Sequence, residues 1–154
     1  METPEHLLLE HPFLAGLDPA LGRPLAGCAR NMRFAAGAFL FREGEPADEF
    51  YLIREGRVAL ELHVPARSPL VIAAIGDGDI VGLSWLAPPH RWAFDARATA
   101  ETRAFGLDAG CVRERCEENH HLGYEMMKRI LPVTVRRMQA ARQQLLDVYG
   151  HHPE

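Results

Sequence analysis

Apolar and polar positions divide the chain into three stretches with different rhythms. From Arg33 to Asp108 the short runs FLFRE, FYLIRE, RVALELHV, LVIAAI, FDARATA and TRAFGLD are rich in β-branched and aromatic residues. Turns bearing Gly37, Gly44, Gly56, Gly76, Gly78 and Gly82 separate them. Turn signals about every 8–12 residues predict a sandwich or barrel of short strands. There is no βαβ rhythm of roughly 30 residues and no repeat of roughly 20–50 residues, which excludes doubly wound and solenoid folds.

The flanks read differently. Residues 1–10 are expected to be a loose arm ahead of a domain over 11–150. Asp18-Pro19 offers a capping carboxylate followed by a proline suited to a first helical position. Leu21, Leu25 and Cys28 then recur at helical spacing, predicting a short helix that ends near Asn31. Beyond the β-region, one helix is predicted over about 109–130, and Pro132 opens another. Leu131, Val135, Met138, Leu145 and Tyr149 follow steps of four, three, seven and four, with Arg142 in the skipped heptad slot. This stripe either packs on the β-domain or forms a seam between two copies. A seam so short needs help from the barrel to hold a homodimer.

Composition narrows the class. The 154 residues suit one domain with a real core, and 47% hydrophobic with 25% charged residues is ordinary for a globular protein. The longest apolar runs are far too short to span a membrane. The acidic start METPEHLLLEHP does not resemble a secretion signal. Three cysteines with no close pair suggest reduced thiols and a cytoplasmic setting rather than a disulfide framework. A formal net charge of −4 gives no overall attraction to nucleic acid.

The segment AGAFLFREGEPADEFYLIREGRVALEL, residues 36–62, resembles the first half of the cyclic-nucleotide-binding domain of catabolite-activator-type regulators, kinase regulatory subunits and gated channels. The shared positions are Gly37, Phe41, Glu43-Gly44, Ala47-Asp48, Phe50-Tyr51, Ile53, Gly56 and Val58. The run Gly76-Asp77-Gly78-Asp79-Ile80-Val81-Gly82 is similar to the approach to the family's phosphate-binding cassette. Arg91-Trp92-Ala93 and Ala98-Thr99-Ala100 resemble the cassette's arginine and the strand after it. The resemblance implies a mainly β fold with flanking α: a double-stranded β-helix (a β-roll or jelly roll) over about 33–108. A short N-terminal helix and C-terminal helices over about 109–149 complete it.

It also implies a ligand site for cAMP or cGMP. In the family, backbone amides at a short helix and an arginine hold the cyclic phosphate, while a glutamate holds the ribose hydroxyl. Carried onto this chain, the cassette begins at Gly82 and continues through Ser84, and its arginine is Arg91, next to Ala93. The glutamate position holds Leu83, and the small hydroxyl residue after the arginine is Trp92. Leu83 cannot accept a hydrogen bond, a loss of about 1–3 kcal/mol for a buried hydroxyl. The bulk of Trp92 competes for the nucleotide's space. Arg91 either binds an anion or pairs internally with Asp95 or Asp79. Trp85 and Trp92 either stack on a ring or join the core. Where some relatives use hydroxyl residues of the last helix, this chain has Ala141 and Arg142. Arg142 either meets a base, stays solvated or fixes a dimer register.

Rival chemistries find little support. His120 and His121 diverge by about 100° on a helix, and Cys111 and Cys116 fall on different faces. No metal-ligand spacing is present, and no GxSxG, P-loop or HExxH motif points to an enzyme. Asp95 and Arg97 share a strand face as a surface pair. The basic residues Lys128, Arg129, Arg136, Arg137 and Arg142 read as a solvated helix face. No sequence follows Glu154 to supply a recognition helix, so no direct nucleic-acid contact is expected. The reading is a non-enzymatic sensor, without cofactor or metal, that binds a cyclic nucleotide or related anion through the altered cassette, dimerises through its last helix and signals to a protein partner. The alternatives are a ligand-free or differently liganded interaction module in which the tryptophan-rich cassette fills the pocket itself, and a transcription-regulator relative that borrows DNA-binding from a partner chain.

Overall fold

The computed structural model describes residues 4–150. Eight strands form two four-stranded antiparallel sheets, the jelly roll that the turn spacing and the resemblance predict. One sheet has the order β1 (Ala29–Phe34), β8 (Thr102–Asp108), β3 (Glu49–Glu55), β6 (Ile80–Val81). The other has β2 (Phe39–Phe41), β7 (Asp95–Ala98), β4 (Val58–Leu62), β5 (Leu70–Ile75). Phe50 to Ile53 of β3 are all buried, because one face lines the roll and the other lies under flanking elements. Gly56 closes the turn after β3 at φ +136°. A Cβ there would sit 2.6 Å from the Thr102 Cα, so no other residue fits.

The buried carboxylates of the roll, Glu61 and Asp95, are paired. Glu61 on β4 receives two hydrogen bonds from the Arg97 guanidinium, at 3.0 and 2.9 Å, and these hold Arg97 above its ordinary pKa. Asp95 is engaged instead by Arg42 at 3.5 Å and by the Glu43 N–H at 2.8 Å. The surface pairing of Asp95 with Arg97 expected along one strand is therefore not formed. Each takes its partner from a neighbouring element.

The flanks correct the sequence reading in four places. Residues 4–9 of the expected arm form helix α1 (Pro4–Leu9): Leu8 is fully buried and Leu9 packs on Gly22. Helix α2 (Pro19–Ala26), capped by Asp18 through the Ala20 N–H at 2.9 Å, stops before Asn31. The chain after it is taken up by β8 as β1, Ala29 opposite Leu107, so strand pairing overrides the helical spacing. The C-terminal break falls at Asn119, not Pro132. Asn119 leaves α3 (Ala109–Glu118) and caps α4 (His120–Gly150), its side-chain oxygen accepting from the His121 and Leu122 N–H groups at 3.0 and 3.4 Å. Pro132 lies inside α4; buried Leu122, Met126, Ile130 and Val133 anchor the helix on both sides of it.

The fourth correction concerns the thiols. Cys28 and Cys111 form a disulfide with their Cα atoms 5.7 Å apart, joining the end of the N-terminal helical segment to the first turn of α3. They are 83 residues apart in sequence, so no spacing signal pairs them. Cys116 remains a half-buried free thiol, pushed above its ordinary pKa by burial and by Glu117.

His11 stitches the N-terminal segment to the roll. Its Nδ1 accepts from the Phe13 N–H at 3.1 Å, so the proton resides on Nε2, which donates to the Ile53 carbonyl at 2.6 Å. Burial lowers its pKa below the ordinary 6.5, outweighing the Ile53 hydrogen bond and Asp79. The folded state therefore disfavours the proton that the unfolded chain takes up below about pH 6.5. His11 contributes fully to stability above that pH, and the contribution erodes as pH falls from 6.5 toward the folded-state pKa. Urea midpoints between pH 8 and pH 5 are expected to drop more steeply for the wild type than for His11→Gln. Parallel curves would show that His11 is not the group responsible.

Candidate functional site

The segment matching the cassette runs from β6 to β7. Gly82 leaves β6 at φ +101°, and Leu83 follows half-buried, its side chain making no capping hydrogen bond. In place of a short α-helix there is a single 3-10 turn, Ser84–Leu86, too short to collect the dipole of a real helix. The chain then passes a cis Pro88-Pro89 bond and His90 at φ +56° to reach Arg91.

Two tryptophans occupy the interior of this loop. Trp92 is 3% exposed and stacks on Phe41, with ring centres 3.9 Å apart and planes 10° from parallel. Its indole lies directly against Gly82: a Cβ on that glycine would be 2.6 Å from Trp92 Cη2. Trp85 is fully buried and stacks on Phe50 at 4.1 Å and 4°. Both are core residues, one of the two alternatives left open by sequence. They also bring the glycine that opens the cassette and the residue that follows its arginine into contact.

Arg91 is exposed and its Nη1 donates to the Gly44 carbonyl at 2.8 Å. Neither Asp95 nor Asp79 pairs with it, which corrects the internal salt bridge considered from sequence. Asp95 is taken by Arg42 and Glu43 as described, and Asp79 lies toward Arg137 and His11. The Arg91 bond belongs to a short clamp between the β2–β3 turn and the cassette's end. The Gly44 N–H donates to the Trp92 carbonyl at 2.8 Å, the Trp92 N–H to Glu45 at 3.0 Å, and the Ala47 N–H to His90 at 2.7 Å. Ala93 is exposed just beyond, and Arg142 is exposed far along α4. Gly82, Leu83, Ser84, Arg91, Trp92 and Ala93 thus share one loop, while Arg142 is not brought to it by any contact.

Two arginines, Arg113 not singled out by sequence reasoning and Arg137 read there as solvated, grip backbone in and just before this loop from the helices. Arg113 of α3 donates to the Trp85 carbonyl at 2.6 Å, and Arg137 of α4 donates to the Ile80 carbonyl. Burial lowers the Arg137 pKa to about 10, so the guanidinium stays charged at neutral pH, with Asp79 as the nearest favourable charge. Its Nη1 is buried without an acceptor among the described residues. A cavity of about 360 Å³ between β5 and α4 is lined by Ile72, Ala73, Asp79, Val133, Arg136 and Arg137. The signal for Arg137 was available: it continues the buried stripe Met126, Ile130, Val133 at helical spacing, but its charge placed it among solvated residues. Among the described residues no group of three or more His, Cys, Asp or Glu side chains is arranged to hold a metal, and no helix is long and apolar enough to cross a membrane.

Known proteins place this arrangement in context. Over 144 residues the chain is 24% identical to a CRP-like cAMP-activated global transcriptional regulator of Mycobacterium tuberculosis, covering 94% of this chain and 62% of that one. It therefore spans less than two thirds of that relative. A crystal structure described as a cyclic nucleotide-binding protein from Geobacter metallireducens superposes with a TM-score of 0.76 at 28% identity, covering 90% of this chain and 99% of the other. The regulatory subunit of a cAMP-independent protein kinase A from Trypanosoma brucei shares the fold, with a TM-score of 0.65 at 24% identity, covering 92% and 48%. The model of the cyclic nucleotide-binding domain matches residues 31–119, more than half the chain. With the jelly roll and its flanking helices in place and the family model matching more than half of it, the chain belongs to the cyclic nucleotide-binding domain family.

Proposed function

We propose that the chain is a non-enzymatic, dimeric regulatory module whose cassette is closed by its own tryptophan, so that it acts on a protein partner without cAMP or cGMP as its input. One observation carries this reading: the Trp92 indole rests on Gly82 and stacks on Phe41, inside the loop where the family resemblance seats the cyclic phosphate. Leu83 adds to it by offering no acceptor for a ribose hydroxyl. Arg91 spends a donor on Gly44 rather than facing inward. A relative of the same fold is described as cAMP-independent, so the fold is compatible with such a role.

Self-association rests on the free face of α4. Tyr124, Met127, Leu131, Val135, Met138, Leu145 and Tyr149 are exposed large apolar residues repeating at heptad-like spacing. Arg142, exposed in the skipped slot, is the polar residue that would fix register.

Calorimetric titration tests the closed cassette. The wild type is expected to bind cAMP and cGMP more weakly than about 1 mM. Leu83→Glu with Trp92→Ser is expected to tighten binding by roughly 10- to 100-fold by restoring the acceptor and the space. Micromolar wild-type binding that Arg91→Ala abolishes would overturn this reading in favour of a cyclic-nucleotide sensor. A second reading, a differently liganded module, is favoured by the unpartnered Arg137 Nη1 beside the β5–α4 cavity. Binding that survives Arg91→Ala but is lost in Arg137→Met would place the ligand there.

A further inference from the structure

We infer that Cys28 and Cys111 form a redox-responsive tie, through which a dithiol reductant controls how firmly the N-terminal helices are held against the C-terminal ones. This does not depend on whether the cassette binds a nucleotide. The bond is at the meeting point of three elements. Cys28 ends the turn after α2, precedes β1 and accepts the Asp108 N–H through its carbonyl at 2.9 Å. Cys111 lies in the first turn of α3, its own N–H donating to the Asp108 side chain at 2.9 Å. From there α3 leads through Asn119 into α4, which reaches back to the N-terminal segment where Arg129 donates to the Ala15 carbonyl at 2.8 Å. The S–S bond is thus the one covalent link, besides the chain itself, between the two helical flanks of the roll.

The two sulfurs are placed for reversible exchange rather than for burial alone. Cys28 is 7% exposed, but Cys111 is only half-buried, so an incoming thiolate reaches the Cys111 sulfur first. A new S–S bond forms between the reductant and Cys111. The old bond breaks and its electron pair leaves on Cys28, which takes up a proton. The reduced thiol has an acceptor waiting: the Pro24 carbonyl lies 3.8 Å from Cys28 Sγ. The reductant's second thiolate then attacks its own sulfur in the mixed disulfide, leaving as a cyclic disulfide and releasing the Cys111 thiolate. The N-terminus of α3, a helix of ten residues, favours that negative charge. Two electrons pass from dithiol to protein; one of the reductant's two thiol protons ends on Cys28, and the other passes to solvent, from which the Cys111 thiolate takes up a proton as it becomes a thiol. Cys116 takes no part, since it lies five residues along α3 from Cys111 on another face.

Reduction leaves the Asp108 hydrogen bond and the buried contacts of Leu25 and Val112 in place, so the roll persists while the α2–α3 joint loosens. The full chain, purified without reductant, is alkylated in denaturant and weighed before and after dithiothreitol. One alkylatable thiol before and three after are expected. Hydrogen exchange is then compared between the two states. Segments 19–28 and 109–118 are expected to exchange at least 10-fold faster after reduction, strand β3 much less, and reoxidation should restore the slow rates. Cys28→Ser with Cys111→Ser should match the reduced protein in any redox buffer, and Cys116→Ser should respond like the wild type. Because the double variant also loses a cross-link over 83 residues, its Tm should fall by about 10 °C; the reversible wild-type cycle therefore serves as the primary measurement. Three free thiols in the air-oxidised protein would overturn the tie. Equal exchange rates in both states would reduce it to a static staple and overturn the redox response.

Discussion

Trp85→Ala is expected to lower the unfolding free energy by about 4 kcal/mol, the upper range for removing a large buried ring. Trp85 is fully buried and stacked on Phe50 of β3 at 4.1 Å, while Arg113 of α3 holds its carbonyl. Truncation therefore opens a cavity between the cassette, the roll and α3, and the two aromatic faces lose each other. Trp85→Phe should cost much less, about 1–2 kcal/mol, because a ring still covers Phe50 and the indole Nε1–H has no protein acceptor to lose. Urea unfolding at fixed protein concentration reads both values. A loss below about 1 kcal/mol for Trp85→Ala would mean that the loop collapses without the indole and that Trp85 is no part of the core.

Leu131→Glu with Met138→Glu is expected to convert a dimer into a monomer. The two side chains are 60% and 64% exposed in the single chain, so the folded protomer loses no packing, and its own stability should change by less than about 0.5 kcal/mol. Buried in a seam, two new carboxylates facing two more across the dyad are each desolvated without a partner. The dimer dissociation constant should rise by at least about 100-fold. Sedimentation equilibrium should show the wild type at twice the 17.2 kDa chain mass and the variant at 17.2 kDa. A wild type that sediments as single chains at about 100 μM would rule out the α4 seam.

The roll was legible because its signals are local. The strand runs and the glycine turns at Gly37, Gly44, Gly56, Gly78 and Gly82 fall where the structure places them, all five at positive φ. What escaped detection was decided at a distance. Strand β1 carries weak alternation and exists because β8 pairs with it. The helical break moved from Pro132 to Asn119 because buried contacts on both sides of the proline outweigh one missing N–H. The residues that the resemblance assigns to the cassette share one loop, yet the fate of Trp92 depends on Phe41, 51 residues earlier, and that of Arg91 on Gly44. Arg113 and the Cys28–Cys111 bond have no sequence signature beyond residue type, and Arg137 has only its place on the buried stripe of α4.

Arg137 and Arg113 hold the first part of the same segment, at the Ile80 carbonyl of β6 and the Trp85 carbonyl of the 3-10 turn, from two helices that lead into the proposed seam. A loop and a helix pair joined in this way cannot shift independently, and thermodynamic reciprocity sets the terms. Whatever factor an event at the loop applies to association along α4, association applies the same factor to that event. A tenfold weakening of the dimer on displacing Trp92 would mean that dimerisation makes the displacement tenfold harder. Closure of the cassette is then partly a property of the pair rather than of either chain, and dilution alone should make the loop easier to open.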